Sequence, residues 1–126
     1  MLNRWVLLAG LSLMAHAAMA QGADRKVDVQ VAAGAIKVAP DPVNMARNQN
    51  RIEWTLNTDG YTFAANGIVI KDANGDYGDC GPIGNKGKKF ACKKLRHIDR
   101  KDFKYDVNLK DGQGQPLSLD PVIHNE

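Results

Sequence analysis

At 126 residues the chain has room for one modest domain and not for two. Its 17 lysines and arginines against 14 aspartates and glutamates leave a net charge of only +3, so any field of consequence has to be local. Past the first twenty positions no stretch approaches the ~20 apolar residues that a membrane helix needs.

Residues 1–20 read as an export leader. One basic residue, Arg4, precedes an apolar or small run over 5–14, and Ala18-Met19-Ala20 supplies the small-x-small pattern that signal peptidase cuts. Cleavage after Ala20 leaves residues 21–126 as a single soluble domain in the periplasm or outside the cell. No cysteine lies near the cut, so a lipid anchor is not expected. Two cysteines, Cys80 and Cys92, remain in the exported part, and in an oxidising compartment an isolated pair reads as one disulfide.

Along the chain, Val27, Val29 and Val31 alternate with polar residues, which marks a half-buried strand. The 32–35 segment breaks it, and Ile36 and Val38 resume the alternation. Pro40 and Pro42 end that strand, because proline cannot donate to a ladder. Residues 43–50 read as a polar connector with room for one turn of helix. In 51–56, Ile52, Trp54 and Leu56 share one face of a strand. A turn over 57–60 leads to Tyr61 and Phe63, and Asn66-Gly67 signals a tight turn or bulge before Ile68. Another turn spans 72–76, and the glycine-rich stretch to Gly87 reads as loop. Residues 89–95 form a strand with Phe90 and Cys92 facing the same way, and 97–102 is a polar connection. Phe103, Tyr105, Val107 and Leu109 then alternate without fault. Residues 111–114 make a hairpin loop, and 116–123 the return strand, with Pro121 marking an edge or bulge. The expected fold is all-β: an antiparallel β-sandwich of about seven strands with one local disulfide.

Ile52-Glu53-Trp54, Gly60-Tyr61-Thr62-Phe63, Asn66-Gly67-Ile68, Phe103 to Val107 and Leu119 to Asn125 stand in an order that resembles small exported bacterial proteins of unknown function with immunoglobulin-like or cupredoxin-like sandwiches. The resemblance implies an immunoglobulin-like fold and an exported address, and carries no catalytic residue. One departure stands out. The immunoglobulin bridge joins two sheets through cysteines far apart in sequence, whereas Cys80 and Cys92 predict a local staple.

The residues offer little chemistry. A blue-copper site needs two histidines, a thiolate and an axial methionine. Cys92, His97, His124 and Met45 do not have that spacing, and Cys80 would lose its partner. Cys80-Gly-Pro-Ile83 lacks the second sulfur of a redox pair. No cofactor is expected. Asp72, Asn74, Asp76 and Asp79 offer hard oxygens for calcium, without the glycine and glutamate positions of an EF-hand. They are also ordinary turn residues. Ser118 has no nucleophile elbow around it. His97, beside Asp99 and Asp102, reads as an exposed connector residue. The basic run over 86–104 is the feature left standing. Lys86, Lys88 and Lys89 lie in or beside a loop; Lys93, Lys94, Arg96, Arg100, Lys101 and Lys104 follow, with only Asp99 and Asp102 against them. Alternate lysines on a stapled strand would present a patch to phosphate-bearing envelope surfaces or nucleic acid. Lysines also simply guard strand edges. The sequence thus points to an exported, non-enzymatic binding or accessory module meeting an anionic envelope component or another exported protein. A small hydrolase or metal-site protein using His97, Ser118 or the 72–79 loop is the alternative.

Overall fold

Among the described residues ten strands follow one another: β1 (Arg25–Ala32), β2 (Ala35–Ala39), β3 (Val43–Met45), β4 (Arg51–Leu56), β5 (Tyr61–Ile70), β6 (Tyr77–Pro82), β7 (Lys89–Lys94), β8 (Asp102–Asp111), β9 (Pro116–Leu119) and β10 (Val122–Asn125). This computed structural model describes residues 24–126; the expected leader and its cut after Ala20 lie outside them. Among the described residues no helix is long and apolar enough to cross a membrane.

One sheet has the order β2-β1-β4-β7-β6. The other runs β3-β10-β8-β5, with β9 also paired to β8. Both are mixed, which corrects the expected all-antiparallel pairing. β1 lies parallel to β4, with Val27 opposite Trp54, and β3 lies parallel to β10, with Val43 opposite Ile123. After the β1–β2 hairpin the chain crosses over, gives β3 to the second sheet, and returns as β4 beside β1. Side-chain alternation defines each strand's faces, but it carries no information about the neighbour's direction.

Three further expectations change. Residues 43–50 begin with a strand rather than a helical turn, because Val43 and Met45 are buried where they pair with β10. The glycine-rich stretch is partly strand: β6 pairs with β7, with a shifted register between Gly78 and Gly81. The return strand divides at Pro121 into β9 and β10, which occupy successive stretches of β8. These three changes account for ten strands instead of seven.

The Asn66-Gly67 signal marks a bulge inside β5, where the register against β8 shifts between Phe63 and Ile68. Gly67 faces the interior. A Cβ there would sit 2.8 Å from Phe90 Cδ2 and 2.9 Å from Phe63 Cβ, so no side chain fits without displacing an aromatic ring.

The inner faces of both sheets share one hydrophobic core. Three aromatic pairs cross it, each taking one ring from each sheet. Trp54 and Tyr105 have centroids 5.3 Å apart, Phe63 and Phe90 5.5 Å, and Tyr77 and Phe103 5.1 Å. Burying one such side chain contributes about 1.5–3 kcal/mol, and the tilted ring pairs add to that.

The Cys80–Cys92 disulfide joins adjacent β6 and β7 across a Cα separation of 4.1 Å. It is the local staple that the spacing implies. Cys92 is fully buried in β7 while Cys80 is exposed. The loop it closes spans a separation of 12 residues, so replacing both cysteines by serine should cost roughly 2–3 kcal/mol. A thermal melt of the double variant should show a midpoint on the order of 10 °C lower; an unchanged midpoint would show that the ladder alone holds β6.

Candidate functional site: the divided basic segment

The pleat of β7 decides what happens to the basic run. Lys89 and Lys93 face outward and are exposed, whereas Phe90, Cys92 and Lys94 face inward. Lys94 is buried, and its Nζ donates to the Ala46 carbonyl (2.9 Å), to the Arg47 carbonyl (3.2 Å) and to His97 Nδ1 (2.7 Å). Three protons meet three acceptors. Burial lowers the Lys94 pKa below the ordinary lysine range, and the Arg47 charge adds to this.

The same contacts define His97. An ammonium only donates, so Nδ1 accepts and Nε2 carries the ring proton. Nε2 then donates to the main-chain oxygen of Glu126 at 2.7 Å, with Asp99 Oδ1 at 3.3 Å. The side chain is only 6% exposed, which corrects the expectation of an exposed connector histidine.

Arg96 and Lys101 converge on Asp76, whose side chain is completely buried. Arg96 reaches Oδ1 through Nε at 2.8 Å and Nη2 at 2.6 Å, and Lys101 Nζ reaches Oδ2 at 2.8 Å. The Lys101 hydrogen bond, and after it that of Arg96, holds the carboxyl below its usual range against the opposing effect of desolvation. The Asp76 carbonyl also accepts from the Leu95 and Arg96 amides. Beside it the Tyr77 hydroxyl donates to Asn125 Oδ1 at 2.7 Å, and Asn125 Nδ2 donates to the Ile98 carbonyl at 3.1 Å. Burial, then the Asp76 charge, pushes the Tyr77 phenol pKa up. Lys94, Arg96 and Lys101 thus fasten residues 94–101 to the 46–49 and 71–76 turns, and Asn125 ties the same segment to β10. Arg100 is exposed in a left-handed conformation, φ 59°.

Toward the other end of β7 lie Lys86, Lys88 and Lys89. Lys88 Nζ donates to the Thr58 carbonyl at 3.0 Å and to the Tyr61 carbonyl at 2.6 Å, which leaves one ammonium proton. Its backbone is held as firmly: the Leu56 amide donates to the Lys88 carbonyl and the Phe63 amide to that of Gly87. Gly87, at φ 72°, lies so close to Thr62 that a Cβ would be 2.9 Å from its side chain. Lys88 lines an open depression of about 610 Å³ together with Tyr61, Thr62, Lys110, Asp111 and three glycines. It also lines a smaller neighbour of about 190 Å³ beside Ile83, Asn85, Lys86 and Lys89.

The other candidates lie apart from one another. Ser118 Oγ donates to Asn108 Oδ1 at 2.8 Å, and it shares no hydrogen-bond partner with His97. Asp72 and Asn74 occupy exposed left-handed turn positions, Asp76 points inward, and Asp79 points out with Lys93 Nζ at 4.0 Å. His124 Nδ1 meets Asp102, and Lys104 Nζ donates to the Asp120 carbonyl at 2.8 Å. Among the described residues no group of three or more histidine, cysteine or acidic side chains is placed to hold a metal ion.

Lys110 and the depression it borders are invisible in the linear reading, since Lys110 lies far along the chain from the basic run. The fate of Lys94 was legible. If Phe90 and Cys92 face inward, a period of two sends Lys94 the same way.

No protein-family model matches this chain, and no curated protein matches its sequence.

Proposed function

We propose that the protein is an exported, non-enzymatic binding module, an immunoglobulin-like sandwich working in the periplasm or outside the cell. It meets anionic groups through the lysines around Lys88. One observation carries this reading: the Lys88 ammonium is held by two main-chain carbonyls at the wall of an open depression and keeps a proton for a ligand. Lys86 and Lys89 stand exposed beside it, and Lys93 lies farther along the same strand. A cation fixed before binding loses little side-chain entropy on contact. The Cys80–Cys92 bridge supports an oxidising compartment. Arg96 and Lys101, committed to Asp76, and Lys94, committed to main-chain carbonyls, are assigned to the fold rather than to the ligand.

The test is elution from an anionic matrix in a salt gradient. Lys86→Glu, Lys89→Glu and Lys93→Glu together should elute at clearly lower salt than the wild type, because fewer counterions are displaced on binding. Co-elution of the two proteins rejects the reading.

A further inference from the structure

Resting on the reading that the Lys88 end is the contact surface, we propose that the larger depression is a binding site for an acidic sugar unit of a saccharide. The sugar carboxylate lies between Lys88 and Lys110, and its hydroxyls pair with Thr62 and Asp111.

The lining states the chemistry of its ligand. Lys88 offers its remaining ammonium proton from a fixed position. Lys110 stands exposed at the end of β8, and among the described residues its ammonium makes no hydrogen bond or ion pair. These two cations call for an anion. Asp111 argues against a ligand that is anionic all over. Its Oδ1 accepts from the Gln113 and Gln115 amides, both at 2.9 Å, which leaves Oδ2 as an open acceptor. A phosphate or sulfate oxygen would be repelled there, whereas a hydroxyl donates to it. The Thr62 hydroxyl can both donate and accept. Tyr61 lines the depression half-buried, with its side chain packed against the core. The lining contains no aliphatic side chain to receive an acyl chain, which separates this ligand from a lipid.

The space suits such a ligand. A volume of about 610 Å³ falls in the range of small-molecule sites. Gly60 and Gly114 take φ of 87° and 82°, and a Cβ added at Gly60, Gly112 or Gly114 would meet nothing within 4 Å. The rim is therefore bare backbone, open to a chain of sugars entering from the side.

The experiment is amide NMR titration of the oxidised protein with three probes: a trisaccharide of uronic acids, a neutral trisaccharide of equal length, and inorganic phosphate. The uronate trisaccharide should shift the amides of Thr62, Gly112 and Gly114 saturably. The neutral one should bind roughly tenfold or more weakly, the loss expected for a charge-assisted hydrogen bond. Lys110→Ala should weaken the uronate by a similar factor. Lys88→Ala would also loosen the 58–61 turn, so Lys110→Ala carries the test. If phosphate reproduces the shifts with equal affinity, the site is a simple anion site and the sugar assignment fails. If those amides stay still while the triple lysine variant still elutes early from the anionic matrix, the assignment fails and the broader reading stands. If neither responds, both fail.

Discussion

Trp54→Ala should destabilise the protein by about 3–5 kcal/mol and lower its melting midpoint on the order of 20 °C. Trp54 is completely buried at the centre of β4. β4 is itself a central strand, flanked by β1 and β7. Its ring packs on Tyr105 of the opposite sheet, and Nε1 donates to the Tyr105 hydroxyl at 3.1 Å. Truncation therefore opens a cavity where the two sheets meet and strands a buried hydroxyl. Trp54→Phe keeps most of the ring and loses the hydrogen bond, so it should cost roughly 1–3 kcal/mol. Urea unfolding of both variants measures the difference. Near-equal losses would mean that the hydrogen bond, rather than the packing, joins the sheets at this point.

Removing the two cations that face Asp76 should do more damage than removing Asp76 itself. In Arg96→Ala/Lys101→Ala a completely buried carboxyl loses both partners and must either hold an uncompensated charge or take up a proton, and each alternative is costly in a protein interior. In Asp76→Ala the residues left over are Arg96 and Lys101, whose side chains are 61% and 37% exposed and can turn to water. The double variant should accordingly melt on the order of 10 °C below the wild type, with Asp76→Ala between them. The reverse order would show that the carboxylate acts mainly by filling space.

The same group sets an acid limit. Its folded pKa lies below the unfolded value of about 3.9. The unfolded chain then binds the proton more readily in acid, so the contribution of Asp76 is complete above about pH 5. It is lost as pH falls through the depressed folded value. Stability measured from pH 5 downward should fall less steeply in Asp76→Ala than in the wild type.

Much of the fold is visible in the order of residues. The alternation at Val27 and Val29, at Ile52, Trp54 and Leu56, and from Phe103 to Leu109 places those side chains in the core, where they are found. A strand's faces depend only on its own pleat, so they can be counted from the chain. The short strands were harder to see. In β3 only three residues are ordered by pairing with β10, and in β6 glycines hide a strand whose ladder and disulfide to β7 supply what its composition lacks.

The candidate site was half visible. The density of lysines over 86–104 is plain, and so is the cysteine pair. The inward turn of Lys94 follows from the pleat of β7, but the drawing of Arg96 and Lys101 to Asp76, the carbonyls that take up the Lys94 ammonium, and the hold of Tyr61 on Lys88 depend on segments distant in the chain.

By itself the sequence determined an all-β domain, the residues that line its core, and the cysteine pair that staples it, because each follows from local periodicity or from simple pairing. The tertiary structure alone decided the parallel partnerships of β1 with β4 and β3 with β10, the burial of the Asp76 carboxylate between two cations, and the meeting of Lys88 with Lys110 around one depression. Those depend on which distant segments come together, and hydrogen-bond geometry across strands is satisfied by any partner that presents the right face.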